Sequence, residues 1–349
     1  MNRLIIFLLV AALTAGTVSA QVTDDAEQNA RVDRAIERGL EYLASRQRAN
    51  GAYPQGHGET AAIPALAGMA FLAKGYLPGD GQYGSNINRA LDYVLTCADS
   101  KGYFGNKENG KMYAHSIATL FLSEVSGMVD AERQRKIDAA LPKAVKIILD
   151  AQAVKKNDHQ QGGWRYTPDA SDSDMSCSGW ALMALRSCRL NGGAIPPKAI
   201  SDAVAYVKRH HNKDTGSFGY QDGNQYAATL TGAGVLCLEL CGQHNDPATL
   251  RAAGYLMKNF RGLPNQERCY YGLYYTAQGL FQLGGESWKT FSTWMYDTFI
   301  PLQKNDGSWD KGEESPAYQT ALCILAFTVP YRQLPIYQRD ETVDEEKQK

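Results

Sequence analysis

The sequence predicts an all-helical protein, a single α6/α6 toroid in which six outer/inner helical hairpins close into a ring. Two recurring features carry that expectation. One is an apolar run in helical period that ends in glycine and an aromatic; the other is a nearly uncharged second helix, opened by a hydroxyl residue, that follows such ends.

The first feature starts at Leu40-Glu41-Tyr42-Leu43 and runs through Gln47 to Gly51-Ala52-Tyr53. It returns as Leu91-Asp92-Tyr93-Val94-Leu95 with Gly102-Tyr103, then as Ile147-Ile148-Leu149 with Gln152 and Gly162-Gly163-Trp164. Val204-Ala205-Tyr206-Val207 leads to Gly216-Ser217-Phe218, and Phe299-Ile300-Pro301-Leu302-Gln303 leads to Gly307-Ser308-Trp309. Around Tyr255-Leu256-Met257 the helix persists but its glycine-aromatic end is lost. These first helices carry charge on one face, as with Asp33, Glu37, Arg38 and Glu41, or Lys143, Lys146 and Asp150. That is the pattern of an outer helix.

The second helices are marked by Thr60, Ser116, Ser178, Thr231, Thr276 and Thr320. The spacing of roughly 50 residues suits one helix pair and two loops. Being apolar almost all round, these helices are expected to be buried on every side. The toroid is placed at residues 32–337, after a linker at 21–31 and before a charged tail at 338–349 expected to be disordered. No linker divides the ring.

The first twenty residues read as an export leader. A polar start with Arg3 precedes an apolar run from Leu4 to Leu13, and small residues end in Val18-Ser19-Ala20, so cleavage is expected after Ala20. The run is about half of the ~20 residues that cross a bilayer, so a membrane-spanning protein is not expected. Without Arg3 the chain has 35 basic and 37 acidic residues, a balance that offers no field for nucleic acid. Seven cysteines without regular spacing do not form a disulfide framework. Most sit in apolar segments, where cysteine packs as a small hydrophobe.

Gln303-Lys304-Asn305-Asp306-Gly307-Ser308-Trp309 matches a QW motif: glutamine, a few residues, glycine, any residue, tryptophan. Gln152 to Trp164 is a longer version, and Gln47 to Tyr53 has tyrosine in place of tryptophan. In these motifs the chain resembles the prenyltransferase and squalene cyclase repeat superfamily. The resemblance implies a terpenoid cyclase-type toroid, here with one barrel and no companion domain. It gives Gln47, Tyr53, Gln152, Trp164, Gln303, Gly307 and Trp309 a structural role, tying outer helix ends to neighbouring inner helix starts.

The same resemblance directs attention to Asp172 and Asp174, which match the first two aspartates of the cyclase acid motif Asp-x-Asp-Asp-Thr. Ser176 takes the threonine position, and Met175 replaces the last aspartate. Asp174 is then the candidate proton donor, with Asp172 beside it. The competing expectation is a helix N-cap at Asp174, whose carboxylate would accept backbone N–H groups. Zinc, the metal of protein prenyltransferases, is not expected: Glu267-Arg268-Cys269 and Tyr318-Gln319-Thr320 approach its ligand segments, but Gln319 stands where histidine should be. No metal or cofactor is therefore implied, and the Gly-Cys-Gly-Glu-Gln motif of thioester domains is absent.

Glu59, His115, Cys177 and Gln319 each precede a marked hydroxyl residue and are expected to line the central mouth. Tyr270 and Tyr274, in a cluster with Tyr271 and Tyr275, are candidates for a pocket wall that holds a sugar ring or a polyprenyl chain. His57 is a further polar residue near the first inner helix. His210-His211 is expected to be solvated.

Three functions fit: an exported toroid binding an apolar, polyprenyl or triterpenoid, or glycan ligand; a cyclase-like or prenyl-chain enzyme using Asp174; and a polysaccharide lyase or hydrolase using Asp172 and Asp174 with Glu59. Ligand binding ranks first because the catalytic motifs are incomplete.

Overall fold

The computed structural model describes residues 26–54, 60–105, 111–312 and 314–338. Among these described residues twelve α-helices follow one another in six outer/inner pairs. The outer helices are α1 (26–46), α3 (Gly84–Thr96), α5 (Ala131–Ala153), α7 (Pro197–Arg209), α9 (Pro247–Asn259) and α11 (Gly285–Phe299). The inner ones are α2 (Ala62–Lys74), α4 (Lys111–Val125), α6 (Met175–Leu190), α8 (Ala227–Leu240), α10 (Cys269–Leu283) and α12 (Pro316–Phe327). Residues 26–31 belong to α1 and not to a linker, a correction to the boundary expected at 32. The expected leader, His57, Glu59 and the residues beyond 338 lie outside the described residues.

The expected sorting into two layers is what packs. Ile63 through Ala73 of α2 and Thr229 through Leu240 of α8 are buried without a break, whereas α3 and α7 bury one stripe each. Each inner helix packs on the next, and α12 packs back on α2, so the inner layer is a closed ring. Helix starts are set locally. Asp130 and Asp246 cap α5 and α9 through their carboxylates, and proline occupies the first turn of α7, α9 and α12, where no intrahelical N–H is lost.

The glycine-aromatic ends are the joints between repeats. Gln152 donates from Nε2 to Gly162 O at 2.9 Å and to Ala199 O of the next outer helix at 2.8 Å. Gln303 repeats this across the ring's closure, to Gly307 O at 2.9 Å and to Ala35 O of α1 at 2.8 Å. Gln47 donates to Asn86 O at 2.9 Å, and Tyr53 is fully buried beneath it. Gly162 and Gly307 have φ of +92° and +88°, and a Cβ there would stand 2.4 Å from Asp202 O and 2.2 Å from Arg38 O. Only glycine meets both demands.

The aromatic then anchors the following inner helix. Trp164 donates its backbone N–H to Ser178 Oγ at 2.9 Å, Phe218 to Thr231 Oγ1 at 3.1 Å and Trp309 to Thr320 Oγ1 at 3.0 Å. In the second repeat the acceptor is His115 Nδ1, 3.2 Å from Phe104 N, and Ser116 lies one residue beyond. The cysteines are core residues: six of the seven are buried and none is in a disulfide.

Candidate functional site

Inner helices all begin at one end of the ring, and the loops between hairpins gather there. Two of these loops supply the backbone that finishes neighbouring helices. Tyr166 O accepts from Met112 N at the start of α4, and Tyr220 O accepts from Met175 N at the start of α6, at 2.9 and 2.8 Å. Both tyrosines are thereby fixed at the mouth. The loop before α6 is further pinned by Gln160, which accepts from Ser173 N at 2.8 Å, and by the Asp174 N to Trp164 O bond at 2.8 Å.

Arg165 organises this wall. Its guanidinium donates to Asp174 Oδ2 at 2.9 Å and to Tyr220 Oη at 2.6 Å, and it pairs with Asp172 at 3.2 Å. It also lies over the rings of Tyr166 (4.3 Å) and Tyr220 (5.3 Å), a cation–π bracket. The two tyrosine hydroxyls touch each other. Opposite stands Tyr271 of α10, its hydroxyl 2.5 Å from Ser176 Oγ. Tyr113 of α4 packs on Tyr166 at 5.8 Å, and Tyr318 of α12 lies near Tyr271, Glu314 and Arg268. Burial pushes the hydroxyl pKa values of Tyr113, Tyr220, Tyr271 and Tyr318 upward, so this tyrosine collar presents neutral O–H groups.

Within the collar is a pocket of about 300 Å³, walled by Tyr166, Tyr220, Tyr226 and Tyr271. Ser176, Thr229, Gln225, Gln266, Glu267 and Arg268 supply its polar groups, and Leu230 its aliphatic one. Tyr226 is 64% exposed and stands edge-on to Tyr220 at 6.0 Å. Its φ of +57° is left-handed, an uncommon conformation for a bulky residue and a form of strain that gathers at functional sites.

Asp174 is fully buried and both carboxylate oxygens are occupied. Oδ1 accepts from Cys177 N at 2.8 Å, which caps α6, and Oδ2 accepts from Arg165. Burial pushes its pKa up, while the Cys177 N–H and the Arg165 guanidinium pull it back. Asp172 shares the same guanidinium and also accepts from Gln221 Nε2 at 3.2 Å.

Several candidate mouth residues stand elsewhere. His115 is fully buried: Nδ1 accepts from Phe104 N, and Nε2 donates to Ala144 O at 3.0 Å. The ring joins three elements as a buried hydrogen-bonding post. Gln319 is likewise a clamp, bonded to Lys311 N and O and to Glu314 O. Tyr270 points away from the axis onto Phe299, at 5.9 Å. Tyr274 lies below the collar, stacked on Trp180 at 5.2 Å. Cys177 alone of these is at the collar, buried beside Tyr113 and Asp174. His210 is buried, not solvated, with Nδ1 on Tyr206 O at 3.0 Å and its ring 4.4 Å from that of His159. Among the described residues no group of three or more His, Cys, Asp or Glu side chains converges.

The buried imidazole has a measurable consequence. Burial lowers the His115 pKa from 6.5 to about 4, against the pull of Ala144 O, so the folded state refuses a proton that the unfolded chain accepts. The stability His115 confers is thus complete above pH 6.5 and drains away as pH falls toward about 4. Denaturant titrations of the wild type and His115→Asn are expected to converge over that window. A gap that stays constant with pH would contradict the neutral, buried assignment.

No protein-family model matches the sequence, and no curated protein matches it. Among solved structures, the ring is similar to the type II terpene cyclase MstE from Scytonema, at 14% identity and a TM-score of 0.57, over 87% of this chain and 99% of that one. It is also similar to the α-1,6-mannanase GH76A from Salegentibacter sp., at 12% identity and a TM-score of 0.63, over 85% and 98% of the two chains. An inactive double-aspartate variant of that mannanase, in complex with α-1,6-mannotriose, gives a TM-score of 0.64. The shared property is the fold, an α/α toroid.

Proposed function

We propose that this protein is a carbohydrate-binding toroid whose mouth pocket stacks a sugar ring on the tyrosine collar. The observation that carries the reading is the lining. Aromatic faces alternate there with hydroxyl, amide and charged groups, and one of the tyrosines is held exposed at the rim. Sugars offer just this mixture, an apolar C–H face and a ring of hydroxyls. A polyprenyl chain asks for a long aliphatic wall, and the axis below the collar is filled by Tyr274, Tyr275 and Trp180. Binding without turnover fits the two candidate acids of the cyclase motif, since Asp172 and Asp174 are both spent on Arg165. Export through the leader would bring the protein to extracytoplasmic glycans.

The test is a titration of the purified protein with soluble oligosaccharides, α-1,6-manno-oligosaccharides among them, beside a geranylgeranyl lipid in detergent. Oligosaccharide binding is expected, and Tyr226→Ala should weaken it by about 2- to 12-fold, the equivalent of the ~0.5–1.5 kcal/mol carried by an aromatic contact. Stability should change little, because the side chain is exposed and alanine keeps the same left-handed backbone. Binding of the lipid alone, or oligosaccharide binding indifferent to Tyr226, would sink the reading.

A further inference from the structure

The far end of the ring, where the inner helices finish, holds a carboxylate that the mouth pocket does not use. Glu124, in the last turn of α4, is fully buried. Its Oε1 lies 2.5 Å from Ser187 Oγ of α6, and its Oε2 accepts from Ile336 N at 3.1 Å. Ser187 Oγ is in turn 2.8 Å from Ser123 Oγ, so a proton in the short contact can be held from either side.

Ile336 belongs to a segment, residues 328–338, that turns back beneath the ring after α12. Its first 3₁₀ turn, Val329–Tyr331, packs on α2, α10 and α12, and its second, Pro335–Tyr337, packs on α6. Gln282 at the end of α10 donates to Tyr337 O at 3.0 Å, and Tyr337 Oη donates to Leu325 O at 3.2 Å. Leu334, Ile336 and Tyr337 are buried. The segment therefore touches the last turns of five inner helices, and Glu124 supplies its tie to α4.

The titratable groups that face Glu124 are Cys188 of α6, Tyr274 of α10 and Tyr337 of the segment itself. Burial holds all three above their ordinary values, so they are neutral. What acts on the carboxyl is burial, opposed by the Ser187 hydroxyl and the Ile336 N–H.

We propose that residues 328–338 form a pH-responsive strap, latched across the far end of the ring by protonated Glu124 and loosened when that carboxyl ionises. Burial raises the Glu124 pKa from 4.5 to about 7. With the strap lifted, Glu124 meets water and returns to its ordinary value. The closed form thus keeps a proton that the open form releases between pH 4.5 and about 7. Opening is favoured about tenfold per pH unit through that window and levels off above it. Behind the strap stand Tyr274 and Gln278, so opening admits solvent to the axis from the end opposite the pocket. The device is independent of what the mouth binds.

Amide hydrogen exchange of the full chain, corrected for the intrinsic effect of pH, tests it. Protection of residues 334–338 is expected to fall by about tenfold per unit from pH 5 to 7 and to change little from 7 to 8, with α8 amides as the internal reference. Glu124→Gln should abolish the slope. Should that variant not fold, Ser187→Ala keeps the carboxyl, removes a stabilising hydroxyl and should move the window to higher pH. Strap protection that does not vary with pH overturns the proposal. So does a slope that survives Glu124→Gln, or a window that Ser187→Ala leaves in place.

Discussion

Trp309→Ala is expected to cost about 3–5 kcal/mol of stability, the range for emptying a large aromatic site in a packed core. Trp309 is fully buried, its indole Nε1 donates to Phe299 O at 2.7 Å, and its ring meets Phe327 edge-on at 5.6 Å. It also fills the space left by Gly39 of α1, whose missing Cβ would stand 2.9 Å from the indole. Those contacts join α11 and α12 to α1 at the one seam that the chain does not cross covalently. Every other joint is backed by the backbone running through it, as at Trp164, which makes the matching bond to Ile148 O at 2.8 Å.

The two tryptophans should therefore differ in kind. Trp164→Ala should lower the midpoint of a single urea transition. Trp309→Ala should also let the first and last hairpins fray, visible as early exchange in α1 and α12 and a broadened transition, because stacked repeats are stable only through their neighbours. Equal costs with equally sharp transitions would mean that the seam has no special weight.

The ring was legible in the sequence because its joints repeat a chemistry that few residue types satisfy. A positive-φ turn pressed against a backbone carbonyl demands glycine, so Gly162 and Gly307 stand out without a structure. The hydroxyl marks were only partly legible. What the fold asks for is an acceptor for one backbone N–H, and Ser178, Thr231 and Thr320 meet that need. His115 meets it as well through an imidazole nitrogen, and a search for hydroxyls passes over it.

The collar was the least legible part. Tyr113, Tyr271 and Tyr318 come from three inner helices and Tyr166 and Tyr220 from two loops, and no local spacing links them. The available signal was a shared register. Tyr113, Tyr271 and Tyr318 are each the third residue of an inner helix, a position that ring symmetry turns toward the axis. Arg165 lay inside the segment that drew attention to Asp174, but a motif defined by acids does not ask which cation answers them.

That cation makes the second large prediction. Asp174→Ala removes a helix cap and leaves Arg165, largely withdrawn from water, with the half-exposed Asp172 as its remaining carboxylate beside the neutral Tyr220 hydroxyl. Breaking one side of a buried pair costs about 3–5 kcal/mol, more than the ~0.5–2 kcal/mol of a cap alone. Asp174→Asn separates the two terms, since the amide oxygen can still accept from Cys177 N while the charge is gone. It should cost less than alanine yet still more than a cap. A cycle combining it with Arg165→Met should then return a coupling near the ~1.5–3 kcal/mol of a charged hydrogen bond. Because Arg165 also brackets Tyr166 and Tyr220, both Arg165→Met and Asp174→Asn should weaken sugar binding while the ring stays folded. A coupling near zero would show that Asp174 and Arg165 act independently. Unchanged affinity in Asp174→Asn would detach the acid pair from the pocket, leaving it a device of the fold alone.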